Sequence, residues 1–315
     1  MPVIGQQAPR AVASSAAAPG VPPFFVAAEP DNVPHQDDLV VQDTATGKIT
    51  GILVPPNGTF FPSVAATSGD RTFVTAVMPH DGQPCLDQLY QFQLNSSGQP
   101  GPLVPLNVTL PGNFNENDTL AVTPDGRPIA YSTYVCGEGT SEFGVIDLTT
   151  RHVRVWSAGE GAAGFASGLT LSADGRLLAF AEQGAPRILT TDASPGPILA
   201  RSRILSSPGA DWVALAGDGS TFYGCTLSIS RFKADSSTLT YYRQTVGSAQ
   251  RQVIASWHNL NNSECMATLD PSGSYLLMQF PSISSDEQPA ILDLRTGTMT
   301  SIPAPPYYGP LTVAW

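Results

Sequence analysis

Short apolar runs alternate with polar residues along this chain and are broken at intervals by tight glycine turns. One phrase recurs: an alternating apolar run, a turn, then a second apolar run. It reads SVAATSGDRTFVTAV from Ser63, LAVTPDGRPIAYSTY from Leu120 and LTLSADGRLLAFAEQ from Leu169. It continues as VALAGDGSTFYGCTL from Val213 and MATLDPSGSYLLMQF from Met266. Period-two alternation is the signature of a half-buried strand. Asp-Gly or Ser-Gly between two such runs marks a hairpin, because glycine accepts positive φ without a Cβ clash. The turns centre on Gly69, Gly126, Gly175, Gly219 and Gly273, at spacings of 57, 49, 44 and 54 residues.

A second hairpin follows the first. LVVQDTATGKITGIL, FGVIDLTTRHVRVW and AILDLRTGTMTSI place Asp43, Asp147 and Asp293 at one phase, just before a turn. That recurrence points to a side chain bonded to its own hairpin. Each repeat therefore supplies four strands, A to D, in a unit of roughly 40–50 residues, the period of a propeller blade. Five whole units start near residues 62, 118, 167, 211 and 264. The N-terminal runs FFVAAE, DLVVQDTA and KITGILVPP supply strands B to D, and the C-terminal LTVAW supplies a lone strand A. Joined, they make a sixth blade, and the union removes two exposed strand edges. The prediction is an all-β, six-bladed propeller of four-stranded antiparallel blades. No window carries sustained helical periodicity, so almost no helix is expected.

The phrases TPDGRPIAYSTY and SADGRLLAFAEQ resemble the TolB-like, WD40-like propeller repeat, and the resemblance covers about residues 23–315. The opening PGVPPFFVAAE and the TATGK hairpin are similar to extracytoplasmic propeller domains of actinobacterial proteins. The resemblance implies architecture and leaves function open, since such propellers serve as scaffolds, receptors and enzymes alike.

Composition agrees with short strands joined by many turns: 29 glycines, 29 prolines and only 13% charged residues. The net charge of −11 argues against nucleic acid, which demands clustered Lys and Arg, and against adsorption to an anionic membrane. No apolar run is long enough to span a bilayer as a helix. Residues 1–22 read as an Ala/Ser/Pro-rich linker ahead of one propeller domain, 23–315. They lack a signal peptide's basic and apolar regions, and the expectation is that an export signal or membrane anchor preceded them.

Cys85, Cys136, Cys225 and Cys265 lack the CxxC spacing of a zinc or thioredoxin-like site. Repeat phase puts Cys85 and Cys136 in the B–C loops of neighbouring blades, and Cys225 and Cys265 near the tops of adjacent strands. The expected disulfides are Cys85–Cys136 and Cys225–Cys265, which imply an oxidising, secreted or extracytoplasmic setting. The alternative is four buried thiols. The sequons at Asn57, Asn95, Asn107, Asn117 and Asn261 are chance matches in a bacterial protein.

No GxSxG, HExxH or P-loop occurs, and no metal or cofactor is expected. A triad assembled from separate blades would escape such a search. The repeat places strand A along the channel, with the D–A and B–C loops at its top. The candidate ligand residues there are Asn117, Asp118, Asp211, Trp257, His258, Glu264, His80 and Glu138, with Ser167, Trp212, Trp156, His35, Asp37, Asp38, Asp81, Asp286 and Glu287 nearby. Carboxylates among aromatics suit a cationic or sugar-like ligand. Structural alternatives stand beside these roles: Asp118 and Asp211 as turn caps, Trp156 and Trp257 packed between blades, Trp212 and Trp315 as core. His152, in a C–D hairpin, falls on the bottom face. Two functions compete. One is a monomeric extracellular module presenting its top face to a protein, peptide or glycan. The other is a secreted hydrolase, lyase or cyclase with carboxylates or His258 as general acid or base.

Overall fold

A computed structural model describes residues 20–28, 37–67, 69, 71–80, 86–111, 119–135, 140–158, 167–182, 184–205, 209–229, 237–260, 265–280, 288–303 and 312–315. Six antiparallel blades form the ring. Blade 1 joins strand A, Thr312–Ala314, to strands B, C and D at Phe24–Ala28, Leu39–Asp43 and Ile49–Leu53. Val26 lies opposite Ala314 and Ala28 opposite Thr312, so both ends of the chain close one sheet as the repeat count predicts.

The other blades follow in order. Blade 2 is Val64–Ala66, Thr72–Pro79, Leu86–Gln93 and Val104–Pro111, and blade 3 is Leu120–Val122, Pro128–Val135, Thr140–Asp147 and Val153–Ser157. Blade 4 is Ser167–Leu171, Leu177–Glu182, Ala185–Thr190 and Arg203–Ile204. Blade 5 is Trp212–Leu215, Thr221–Ile229, Ser237–Thr245 and Arg251–Leu260, and blade 6 is Ala267–Leu269, Tyr275–Phe280, Gln288–Asp293 and Met299–Ser301.

Alternation along each strand B gives every blade two buried faces. In blade 4, Leu178 and Phe180 join Phe143 and Trp156 of blade 3, while Ala179 and Ala181 join Val213 and Phe222 of blade 5. The same division recurs at each seam, and the buried apolar clusters number six, one for each pair of neighbouring blades. Burying both faces of every sheet is what holds a ring of otherwise separate blades together.

The bottom turns are built from aspartates. Asp43 Oδ1 accepts from the Thr46 amide at 2.8 Å, Asp147 Oδ1 from the Thr149 and Thr150 amides at 2.8 and 3.0 Å, and Asp293 Oδ1 from the Arg295 and Thr296 amides at 2.8 and 3.0 Å. The Thr150 and Thr149 amides hold the Asp147 carboxyl below the usual carboxylate range. In the A–B turns the Thr123, Ser172 and Ser220 hydroxyls do the same for Asp125, Asp174 and Asp218. These acids satisfy backbone donors that a tight turn leaves unpaired.

Several C–D connections also cover the outer edge of the preceding blade. Gln99 Nε2 donates to the Thr50 carbonyl of blade 1, Arg151 Nη1 to the Leu106 carbonyl of blade 2 at 2.8 Å, and Arg154 Nη1 of blade 3 to the Thr191 carbonyl. Such cover suppresses edge-to-edge pairing.

Blade 4 departs from the repeat. Its C–D connection contains a four-residue helix, Ile198–Arg201, and Gly196–Pro197 pairs in parallel with Trp156–Ser157. The sequence SPGPILARSRI replaces the tight turn, and Ile198 packs into the seam with Trp156. No helix among the described residues is long and apolar enough to cross a membrane.

Candidate functional site

The six strands A line a central cavity of about 580 Å³. Its wall is largely aliphatic, with Leu120, Val122, Leu169, Leu171, Leu269 and Val313 among the lining residues. The hydroxyls on this wall mostly serve the seams. Thr170 Oγ1 accepts from the Leu215 amide at 2.8 Å, tying blade 4 to blade 5. Thr268 Oγ1 donates to the Val313 carbonyl at 2.6 Å, tying blade 6 to blade 1, and the Trp315 indole donates to the Thr268 carbonyl at 3.0 Å.

Two of the lining residues are charged, Asp211 and Asp270. They occupy opposite ends and differ in kind. Asp270, at the bottom, is buried and saturated. Its Oδ2 takes the Ser272 amide and hydroxyl, and its Oδ1 takes the Ser274 and Tyr275 amides at 2.7 and 2.6 Å. Asp211, at the top, is exposed, and its carboxylate accepts one bond, from the Leu227 amide to Oδ2 at 2.7 Å. The Asp211 amide donates to the Cys225 carbonyl at 2.8 Å, and the Ser167 hydroxyl of blade 4 donates to the Asp211 carbonyl. The Asp211 carboxylate thus bonds a strand-B amide sixteen residues away rather than capping a local turn, and it still faces solvent at the mouth.

Behind Asp211 lies the Cys225–Cys265 disulfide, with Cα atoms 5.6 Å apart, as repeat phase predicts. Cys265 and Trp212 both line the channel. Trp212 packs edge-on to Tyr241, and Tyr241 edge-on to Trp257, each pair with centroids 6.1 Å apart. An aromatic row thus runs from the outer strand of blade 5 to the channel wall. Complete burial pushes the Tyr241 phenol well above its ordinary pKa.

The remaining candidates scatter. Trp257 is half-buried at the end of that row, and His258 is exposed on the outer strand, its Nδ1 2.9 Å from Thr238 Oγ1. Neither is among the residues lining the channel. His80 sits on top of blades 1 and 2, its Nε2 3.3 Å from Asp37 Oδ2 and its ring stacked on Phe60 at 5.4 Å. Trp156 is fully buried in the blade 3–4 seam, its indole donating to the Ser194 carbonyl at 3.3 Å, which takes it away from the mouth. His152 is exposed beside its bottom hairpin. Asn117, Asp118, Glu138 and Glu264, with His35, Asp81, Asp286, Glu287 and the Cys85–Cys136 pairing, lie outside the described residues.

Sequence reasoning missed Glu182. It ends strand B of blade 4 on the face shared by Leu178 and Phe180, and it is 2% exposed. Neither carboxyl oxygen has a hydrogen-bond partner. Burial pushes its pKa up, against the pull of the nearby Arg187 guanidinium. The available signal was phase: in LLAFAEQ the glutamate stands where the alternation calls for an apolar residue.

Among the described residues no group of His, Cys, Asp and Glu is arranged to hold a metal ion. No family model matches the sequence, and no curated protein matches it. Solved structures do match, at low identity. TolB from Acinetobacter baumannii superposes with a TM-score of 0.62 at 15% identity, over 93% of this chain and 65% of that one. The chain thus spans about two thirds of the length of that protein. A chain of the nidogen/laminin complex gives 0.54 at 11% identity, over 93% and 98%. A putative 6-phosphogluconolactonase from Bacteroides uniformis gives 0.50 at 11%, over 92% and 98%. The class is therefore a six-bladed, TolB-like β-propeller, and at these identities the likeness extends to the fold alone.

Proposed function

We propose that this chain is an extracellular binding module that presents the top face of its propeller to a protein, peptide or glycan partner, with residues 1–22 as a linker ahead of a single domain, 23–315. The observation that carries the reading is the contrast between the two ends of the channel. At the bottom, Asp270 and the hairpin aspartates are consumed by turns. At the top, Asp211 stays exposed above an apolar well. Gly20 and Val21 lie against blade 6 near Tyr275, at the start of its strand B.

The enzyme reading rests on His80 with Asp37, or on Glu182. Neither His80 nor Glu182 lines the channel, and Glu182 is enclosed between blades, so the described geometry supports binding better. The disulfide supports an extracytoplasmic setting, since such bonds persist in oxidising compartments.

The test pairs a glycan array and a pull-down from the native secretome with an activity screen. The wild type is compared with a top-face variant, Asp37→Arg, and a bottom-face control, Arg127→Glu. Specific capture lost only in the top-face variant supports the reading. Silence in both binding assays together with turnover in the screen overturns it.

A further inference from the structure

We infer that the channel mouth binds an organic cation with an apolar body: a small amphiphilic amine whose ammonium group meets Asp211 and whose hydrocarbon part enters the channel. The inference rests on the top-face binding reading and narrows it to a ligand class.

Three observations converge on this. First, the cavity is of ligand size, about 580 Å³, within the range of small-molecule sites, and its wall is mainly aliphatic. Thr170 and Thr268 present few free polar groups because their hydroxyls bond across the seams. An apolar body there gains from leaving water and leaves few polar partners unpaired.

Second, charge among the described wall residues has one sign. No basic side chain is among the lining residues, and of the two acids Asp270 is buried and already accepts four hydrogen bonds. Among the described lining residues, Asp211 alone offers a carboxylate to an incoming group. A cation gains from it, whereas a carboxylate or phosphate ligand would meet repulsion with no counter-charge on the wall.

Third, the net charge of −11 favours the approach of a cation over that of an anion.

Isothermal titration with octylammonium, octanol and octanoate tests the inference on the whole chain at low ionic strength. The expected result is saturable binding of octylammonium at one site, with octanol and octanoate each weaker by about tenfold or more. Asp211→Asn retains an oxygen for the Leu227 amide and so keeps the local fold. It is expected to weaken octylammonium about three- to tenfold, as suits an exposed charge pair, and to leave octanol unchanged. Ala66→Phe enlarges a residue of the channel wall and is expected to weaken binding, with its melting curve confirming that it is folded.

Equal affinity for octylammonium and octanol, indifference to Asp211→Asn, or undiminished binding to folded Ala66→Phe would each overturn the inference. So would binding of a lysine-containing apolar peptide with no response to octylammonium. That result assigns the mouth to a peptide and leaves the binding-module reading standing. Failure of the module reading is separate and shows as turnover without capture.

Discussion

Removing the Cys225–Cys265 bond should lower stability by an amount the structure sets. The two residues are 40 apart in sequence, and they join strand B of blade 5 to the start of strand A in blade 6. Closing a loop of that length removes about 13 cal/mol/K of entropy from the unfolded chain, or about 4 kcal/mol at 25 °C. Unfolding entropy of about 2.1 cal/mol/K per residue over the 315 residues makes each kcal/mol worth about 1.5 °C, so Cys225→Ala/Cys265→Ala should melt about 6 °C lower. Differential scanning calorimetry measures the shift. The paired measurement is non-reducing mass spectrometry of protein from its native host. A shift under about 1 °C would refute the loop-entropy reasoning. Free thiols at Cys225 and Cys265 in the native material would remove the argument for an oxidising compartment.

Three further outcomes follow from other sites. Burial raises the pKa of Glu182, so the folded state holds its proton more tightly than the unfolded chain, and ionisation costs stability as pH rises through the window above the ordinary carboxylate value. Glu182→Gln should therefore stabilise the protein at pH 7 by on the order of 1 kcal/mol, with the gain fading below about pH 4; urea denaturation at both pH values tests it, and a less stable variant at pH 7 contradicts it. Gly168 has φ +70°, and a Cβ there would lie 2.1 Å from the Val213 carbonyl of blade 5, so Gly168→Ala should cost about 2–3 kcal/mol by forcing that seam apart; an unchanged denaturation midpoint would show the strand yields freely. Asp270→Asn exchanges a saturated carboxylate for an amide among donors, and a loss of about 2 kcal/mol is expected, read as a melting shift with octylammonium affinity unchanged.

How far the sequence carried depended on whether a feature was local and repeated. The hairpins at Gly126, Gly175 and Gly219 were legible because a positive-φ glycine and an adjacent aspartate are both local requirements, stated again in each blade. The Cys225–Cys265 bond was legible because repeat phase converts position in the chain into height on the ring. Trp156 was harder. Strand phase put it near a blade top, but its burial depends on the irregular connection of blade 4, whose Ser194 lies 38 residues away. Glu182 escaped because it stands at a strand end, and only the packing of blade 3 against that face encloses it. Asp211 and Asp118 looked alike in sequence as turn caps. Only geometry showed that the Asp211 carboxylate also opens on the channel.

One residue type, aspartate, does two jobs in this ring, and phase decides which. At the start of a bottom turn its oxygens are taken by amides two or three residues ahead, as with Asp43, Asp147 and Asp293. Such a position tolerates little but Asp or Asn, so the bottom face is constrained by folding and has little freedom to acquire a ligand. At the start of strand A the backbone is held differently. The Asp211 amide and carbonyl are fixed by Cys225 and Ser167, and Leu227 takes one carboxylate oxygen. The rest of the carboxylate is not needed to build the blade. Variation at strand-A starts can therefore retune the mouth without disturbing the hairpins, which supports the proposed top-face reading. The disulfide fixes that same spot, tethering blade 5 to blade 6 directly behind Asp211, so a ligand meeting the carboxylate meets a rigid wall and loses less to ordering it.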